Sequence, residues 1–120
     1  MTKKLIMILG LVLSSMLMKA QAFFVPFPKA GDKYWQKQVP VAMRNDYIRL
    51  GNLYQKKPWN AIPAETFAEF RTNGNRTRYE EASFGIRKQF VCLVMAEIMQ
   101  GRGRFLSSIR KGLHYFIEKE

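Results

Sequence analysis

From Phe90 to Met99 the chain reads FVCLVMAEIM, and Glu97 is the one charged residue in it. A helix that is apolar on nearly every side has to be covered on nearly every side. Crossing a membrane takes about 20 apolar residues, so a run this short is expected instead at the centre of a helical layer. Thr77 and Glu80 have the capping-box spacing, in which each side chain bonds the other's free backbone N–H, and this predicts a helix starting near Arg78. Gly101 and Gly103 end it, as residues past a helix terminus commonly do. Along it Phe84, Val91, Val94, Met95 and Ile98 share a broad face, while Phe90, Cys92 and Leu93 spill round the other sides. Glu97 is expected to pair with a buried arginine, either Arg87 or one supplied from outside the chain.

The neighbouring segments read as supports for this helix. Val39-Pro40 opens a helix that stops before Pro58, because proline suits a first helical turn and the residue preceding a proline is pushed out of the helical region. Met43, Tyr47, Leu50 and Tyr54 form its apolar stripe, with Arg44, Asn45, Arg49, Asn52 and Gln55 mostly elsewhere. Trp59 to Pro63 is a turn into a shorter helix, in which Phe67 and Phe70 share a face and Glu65 lies near the positive end of the helix dipole. Asn73-Gly74-Asn75 reverses the chain, since these residues tolerate positive φ. A last helix, Phe105 to about Glu118, carries Phe105, Leu106, Ile109, Leu113, Phe116 and Ile117 on one side. Ser107, Arg110, Lys111, His114 and Glu118 lie on the other. Gly112 within it costs about 1 kcal/mol relative to Ala and marks a close approach. With no alternating strand pattern anywhere, the fold class is all-α, built of antiparallel helical hairpins.

At the amino terminus Lys3 and Lys4 precede the apolar run Leu5 to Met18, and Ala20-Gln21-Ala22 offers small residues for cleavage. Residues 1–22 therefore read as a secretory signal peptide, which leaves no stable membrane span once removed and implies export to the periplasm or beyond. Residues 23–38 read as an extended leader, because Pro26, Pro28 and Gly31 forbid a continuing helix, with the rings of Phe23, Phe24 and Phe27 held against the body. Residues 39–120 form the helical region. The net charge is +11, and without Lys3, Lys4 and Lys19 there remain 17 basic and 9 acidic residues. Outside the cytoplasm such a balance favours an acidic polysaccharide or an anionic surface over nucleic acid. Cys92 is the single cysteine, which excludes an internal disulfide and a Cys-based metal site. No metal-ligand spacing, nucleotide-binding glycine loop or nucleophile elbow is present, so neither cofactor nor metal is expected and no catalytic residue is assigned.

The candidate substrate-binding residues are Arg71, Asn73, Asn75, Arg76 and Arg78 in the polar turn, together with Trp59. Arginine forks bind carboxylate and sulfate at two points, and asparagine bonds sugar hydroxyls. The competing reading gives Asn73 and Asn75 to turn geometry and pairs Arg76 or Arg78 with Glu69, Glu80 or Glu81. Trp59 either stacks on a sugar or packs beneath its turn. Asn75-Arg76-Thr77 also spells a glycosylation sequon, read as coincidence beside bacterial-type export signals. His114 reads as a solvated residue.

Three strings carry a resemblance: FAEFRTNGNRTRYE, then SFGIRKQFVCLVMAEIMQGRGRF, and upstream MRNDYIRLGNLYQKKPWNAIPA. Together they resemble the amino-terminal part of secreted heparinase II/III-like polysaccharide lyases of Bacteroides-type bacteria. The resemblance implies an incomplete α/α toroid of helical hairpins followed by large β-sheet domains, in a chain several times longer. It implies β-elimination on a uronic acid: a base removes the C5 proton, polar or cationic groups neutralise the sugar carboxylate, and an acid protonates the leaving oxygen. The residues that do this in the family lie in parts this chain does not reach, and none is carried over. The expectation is an amino-terminal fragment, inactive alone, whose natural context continues past Glu120 or whose missing face comes from a partner. The alternative is a non-catalytic cationic helical module of the periplasm that binds an acidic glycan or a protein. Membrane-active helices fit less well, because the most apolar helix has no basic face.

Overall fold

The computed structural model describes residues 2–21 and 26–119, with side chains at 2–14 and 26–119. Among them are six α-helices and no strand: α1 Thr2–Gln21, α2 Lys33–Gln38, α3 Val41–Gln55, α4 Ala64–Asn73, α5 Thr77–Gln100 and α6 Leu106–Lys119. The chain is all-α. The described apolar side chains of α1 lie open to solvent, Leu5 and Ile6 among them. Among the described residues no helix is long and apolar enough to cross a membrane.

The centre is α5, as the apolar run implied, and its main partner is not a helix adjacent to it in sequence. α3 packs chiefly on α5 rather than on α4, and α2, α4 and α6 touch α5 as well. Gly51 of α3 is the reason. A Cβ built on Gly51 would overlap the Ala96 Cβ and come within 3.0 Å of the Phe105 ring, so the missing side chain is what lets α3 and α5 meet nearly backbone to backbone. Leu93, Ala96 and Phe105 are fully enclosed at this crossing, with Tyr54, Trp59 and Ile109 packed around them. Enclosing Phe105 alone is worth about 2–3 kcal/mol.

This close approach sets which face of each helix is buried, and it departs from the apolar stripes. On α3 the buried position is Gly51, whereas Met43 is exposed. On α5 the buried set is Ser83, Gln89, Cys92, Leu93, Ala96, Glu97 and Met99, while Phe84 and Val91, assigned to the inward face, are 61% and 54% exposed. On α6 Leu106, Leu113 and Ile117 are likewise open to solvent. Gly51 and Ala96 permit the contact, so they lie at the crossing with Leu93 and Phe105, while Met43, Phe84 and Val91 are left on flanks open to solvent.

Local chemistry fixes the ends. Gly74 (φ 75°) closes α4 and Gly101 (φ 66°) closes α5, where its N–H donates to the Glu97 carbonyl at 2.7 Å. The left-handed conformation both need is one that L side chains rarely adopt. The leader is not wholly extended: Lys33–Gln38 is helical because the Asp32 carboxylate accepts from the Tyr34 N–H at 2.8 Å, a cap that reading by Pro and Gly alone passes over. Phe27 lies against Trp35, ring centroids 5.4 Å apart, and remains largely exposed. Phe23 and Phe24 lie outside the described residues. Ahead of α2, the Gly31 N–H donates to the Ile98 carbonyl at 2.8 Å, where a Cβ on Gly31 would come within 2.9 Å of the Gly101 Cα.

Candidate functional site

The polar turn between α4 and α5 is tied together by its own side chains. Asn73 Oδ1 accepts from the Asn75 N–H at 2.9 Å, and Asn75 Oδ1 accepts from the Thr77 N–H at 3.1 Å. Both are Asx-type bonds that stand in for backbone turn bonds. Asn75 Nδ2 donates to Glu69 Oε1 at 3.0 Å, Arg78 Nη1 lies 3.6 Å from Glu69 Oε2, and Arg76 Nε lies 3.3 Å from Glu80 Oε1. The expected Thr77–Glu80 capping box does not form. α5 begins at Thr77 itself, whose N–H goes to Asn75, and Glu80 turns to Arg76.

These ion pairs are exposed and each contributes about 0–1 kcal/mol, enough to orient the turn. Asn73, Asn75, Arg76 and Arg78 are thus brought together with one another and with two carboxylates. Arg71 stands apart from them, on the exposed wall of a shallow depression beside Phe67, Ala68 and Thr72.

Trp59 belongs to a different cluster. Its indole stacks on Tyr115 at 27° and meets Phe90 and Phe116 edge-on, all with centroids 6.3–6.4 Å apart. The ring lies over Gly112, where an added Cβ would be 2.6 Å from the indole Cζ2. The close approach marked by Gly112 is therefore that of a tryptophan ring, not of a helix backbone. Trp59 is only half-buried and forms a wall of a groove of about 400 Å³, whose other walls are Gln55, Lys56, Lys57, Pro58, Ser108 and Lys111.

Sequence reasoning missed this groove, whose lysines come from the α3–α4 turn and from α6. The word Lys56-Lys57-Pro58-Trp59 is a local signal for half of it. Lys111 joins only through packing, because Ser108, Lys111 and Tyr115 fall on one face of α6. The walls are fixed by bonds between elements. Gln55 Nε2 donates to the Arg104 carbonyl at 2.8 Å, Ser108 Oγ to the Gln55 carbonyl at 3.5 Å, and buried Gln89 Nε2 to the Lys57 carbonyl at 3.0 Å.

The remaining titratable candidates have structural partners. Glu97, 7% exposed, accepts from the Gly103 N–H at 2.6 Å through Oε1 and from the Phe105 N–H at 3.1 Å through Oε2. The buried arginine expected for it is replaced by two backbone donors of the α5–α6 turn. Burial pushes the Cys92 thiol above its ordinary value, against a weaker pull from Lys88. His114 is exposed, its Nδ1 4.0 Å from Glu118 Oε1. Among the described residues no three His, Cys, Asp or Glu side chains are grouped as metal ligands. What the arrangement offers chemically is a cationic surface beside hydrogen-bonding groups. Compared with known proteins, the chain matches no family model and no curated protein.

Proposed function

We propose that this chain is an amino-terminal helical segment of an exported polysaccharide lyase of the heparinase II/III-like kind. In this reading it is inactive alone and supplies scaffold and cationic surface to an enzyme that acts by β-elimination on uronic-acid-containing glycans in the periplasm or outside the cell. The observation that carries the reading is the pair of uncovered apolar flanks, Phe84 and Val91 on α5 and Leu106, Leu113 and Ile117 on α6. A layer of helices with apolar residues on both sides of its crossing is what one layer of a stacked hairpin array needs. The three strings from Met43 to Phe105 that resemble such lyases supply the chemistry, and the 17 basic against 9 acidic residues left after signal removal suit an acidic polymer.

The test is to sequence through the codon for Glu120 and to express whatever continuous frame is found. Release of unsaturated uronate from heparin, chondroitin sulfate or alginate by that product, and none by the present chain, is the expected result. Adjoining DNA that encodes no remnant of a toroid or sheet domain overturns it. A second reading, a free-standing cationic module that holds acidic glycan, is favoured by the lysine-lined groove beside Trp59. It requires a cooperative thermal transition for the chain by itself.

A further inference from the structure

The geometry points to the groove between the α3–α4 turn and α6 as an anionic-sugar subsite. Lys56, Lys57 and Lys111 bind the sulfate or carboxylate groups of one short stretch of acidic glycan, with half-buried Trp59 as the apolar part of the wall. The inference rests on the acidic-glycan reading above and moves its site from the polar turn to this groove.

Charge decides between the two places. In the turn Arg76 and Arg78 already face Glu80 and Glu69, so an incoming sulfate has to displace a carboxylate. The groove has three lysines in its lining and no carboxylate. Three lysines in one lining with no carboxylate among them give the groove a positive potential, which attracts a polyanion. Lys57 is held over the Tyr54 ring, its Nζ 5.8 Å from the centroid, which limits the ordering it must undergo on binding.

The end of α3 is itself an electronegative place, and its last carbonyl and one in the turn just beyond it are met by donors. Ser108 takes the Gln55 carbonyl and Gln89 the Lys57 carbonyl, which reduces the repulsion a bound anion feels from the helix terminus. Trp59 stacks on Tyr115 and is flanked by Phe90 and Phe116.

The test measures retention of the purified full chain on immobilised heparin as a function of salt, and its affinity for a heparin-derived oligosaccharide. The variants are K56Q/K57Q/K111Q and, for comparison, R71Q/R76Q/R78Q, each with its far-UV circular dichroism recorded. The expected result is an affinity loss of about tenfold or more and a shallower salt dependence for the lysine variant with its helix content unchanged. The arginine variant loses less than threefold on this reasoning. Equal losses in the two variants, or a larger one in the arginine variant, overturn the groove and leave the glycan reading standing. A folded wild-type chain that binds neither heparin, chondroitin sulfate nor alginate overturns the glycan reading itself. Equal affinity for single-stranded DNA or for phosphatidylglycerol vesicles at the same salt shows a general polyanion surface and also overturns the subsite, as does competition by inorganic sulfate alone at the same charge concentration.

Discussion

Replacing Glu97 by alanine probes the joint that holds α6. The two carboxylate oxygens each receive a backbone N–H, from Gly103 at 2.6 Å and from Phe105 at 3.1 Å. Hydrogen bonds to a charged group contribute about 1.5–3 kcal/mol each, and an orphaned buried donor costs about 1–3 kcal/mol. Gly103 is exposed and its N–H can turn to water, so its share is at the low end. Phe105 is fully buried and its N–H has no such recourse. About 3 kcal/mol in all is expected for Glu97→Ala, which in a small domain lowers Tm by about 10–20 °C. Glu97→Gln keeps one acceptor oxygen and aims an NH2 group at the other donor, so it falls between wild type and Glu97→Ala. Urea unfolding followed by far-UV circular dichroism gives the numbers, with Asp46→Ala, whose carboxylate is 69% exposed, as the control at under about 1 kcal/mol. If Glu97→Ala costs no more than that control, the turn is held by the Phe105 ring alone and the reasoning fails.

Two further expectations follow from packing and burial. Gly51→Ala and Gly112→Ala each improve helix propensity by about 1 kcal/mol, yet the new methyl meets Ala96 in the first case and Trp59 with Phe90 in the second. Overpacking of about 1–3 kcal/mol wins, so both variants are less stable in thermal unfolding, and Gly112→Ala also shifts tryptophan emission. For Cys92, burial raises the folded-state value above the ordinary 9.0. The folded chain therefore keeps the thiol proton longer, and this stabilising contribution is complete below pH about 9 and is lost as pH rises through the folded value. Unfolding free energy above pH 9 falls more steeply in wild type than in Cys92→Ala, and equal slopes refute the assignment.

Where α3 begins and where α3, α4 and α5 end was legible in the chain, because Pro40, Pro58, Gly74 and Gly101 act through their own backbones, whereas α2 was not. Which face each helix buries was not. Stripes such as Met43–Leu50 and Phe84–Val91 rank positions by apolarity, whereas the crossing of α3 with α5 is decided by how near Gly51 lets the helices come. Glu97 was singled out correctly as a buried carboxylate, but its partners are peptide N–H groups, which no residue type announces. The candidate turn was visible as a string, and its internal pairing follows from short-range geometry. The groove was not visible, because Lys57 and Lys111 become neighbours only once α6 has folded back over Trp59.

The contact between Gly31 and Gly101 is made of main chain on both sides, with the Gly31 N–H closing onto Ile98. It works as a latch that carries no side-chain information. Mutational drift can rewrite the residues around it without disturbing how the leader is seated, provided those two positions stay glycine. Fraying the last turn of α5 frees the Ile98 carbonyl and opens the latch in the same step. The seating of the leader thus reports on whether that end of the central helix is intact.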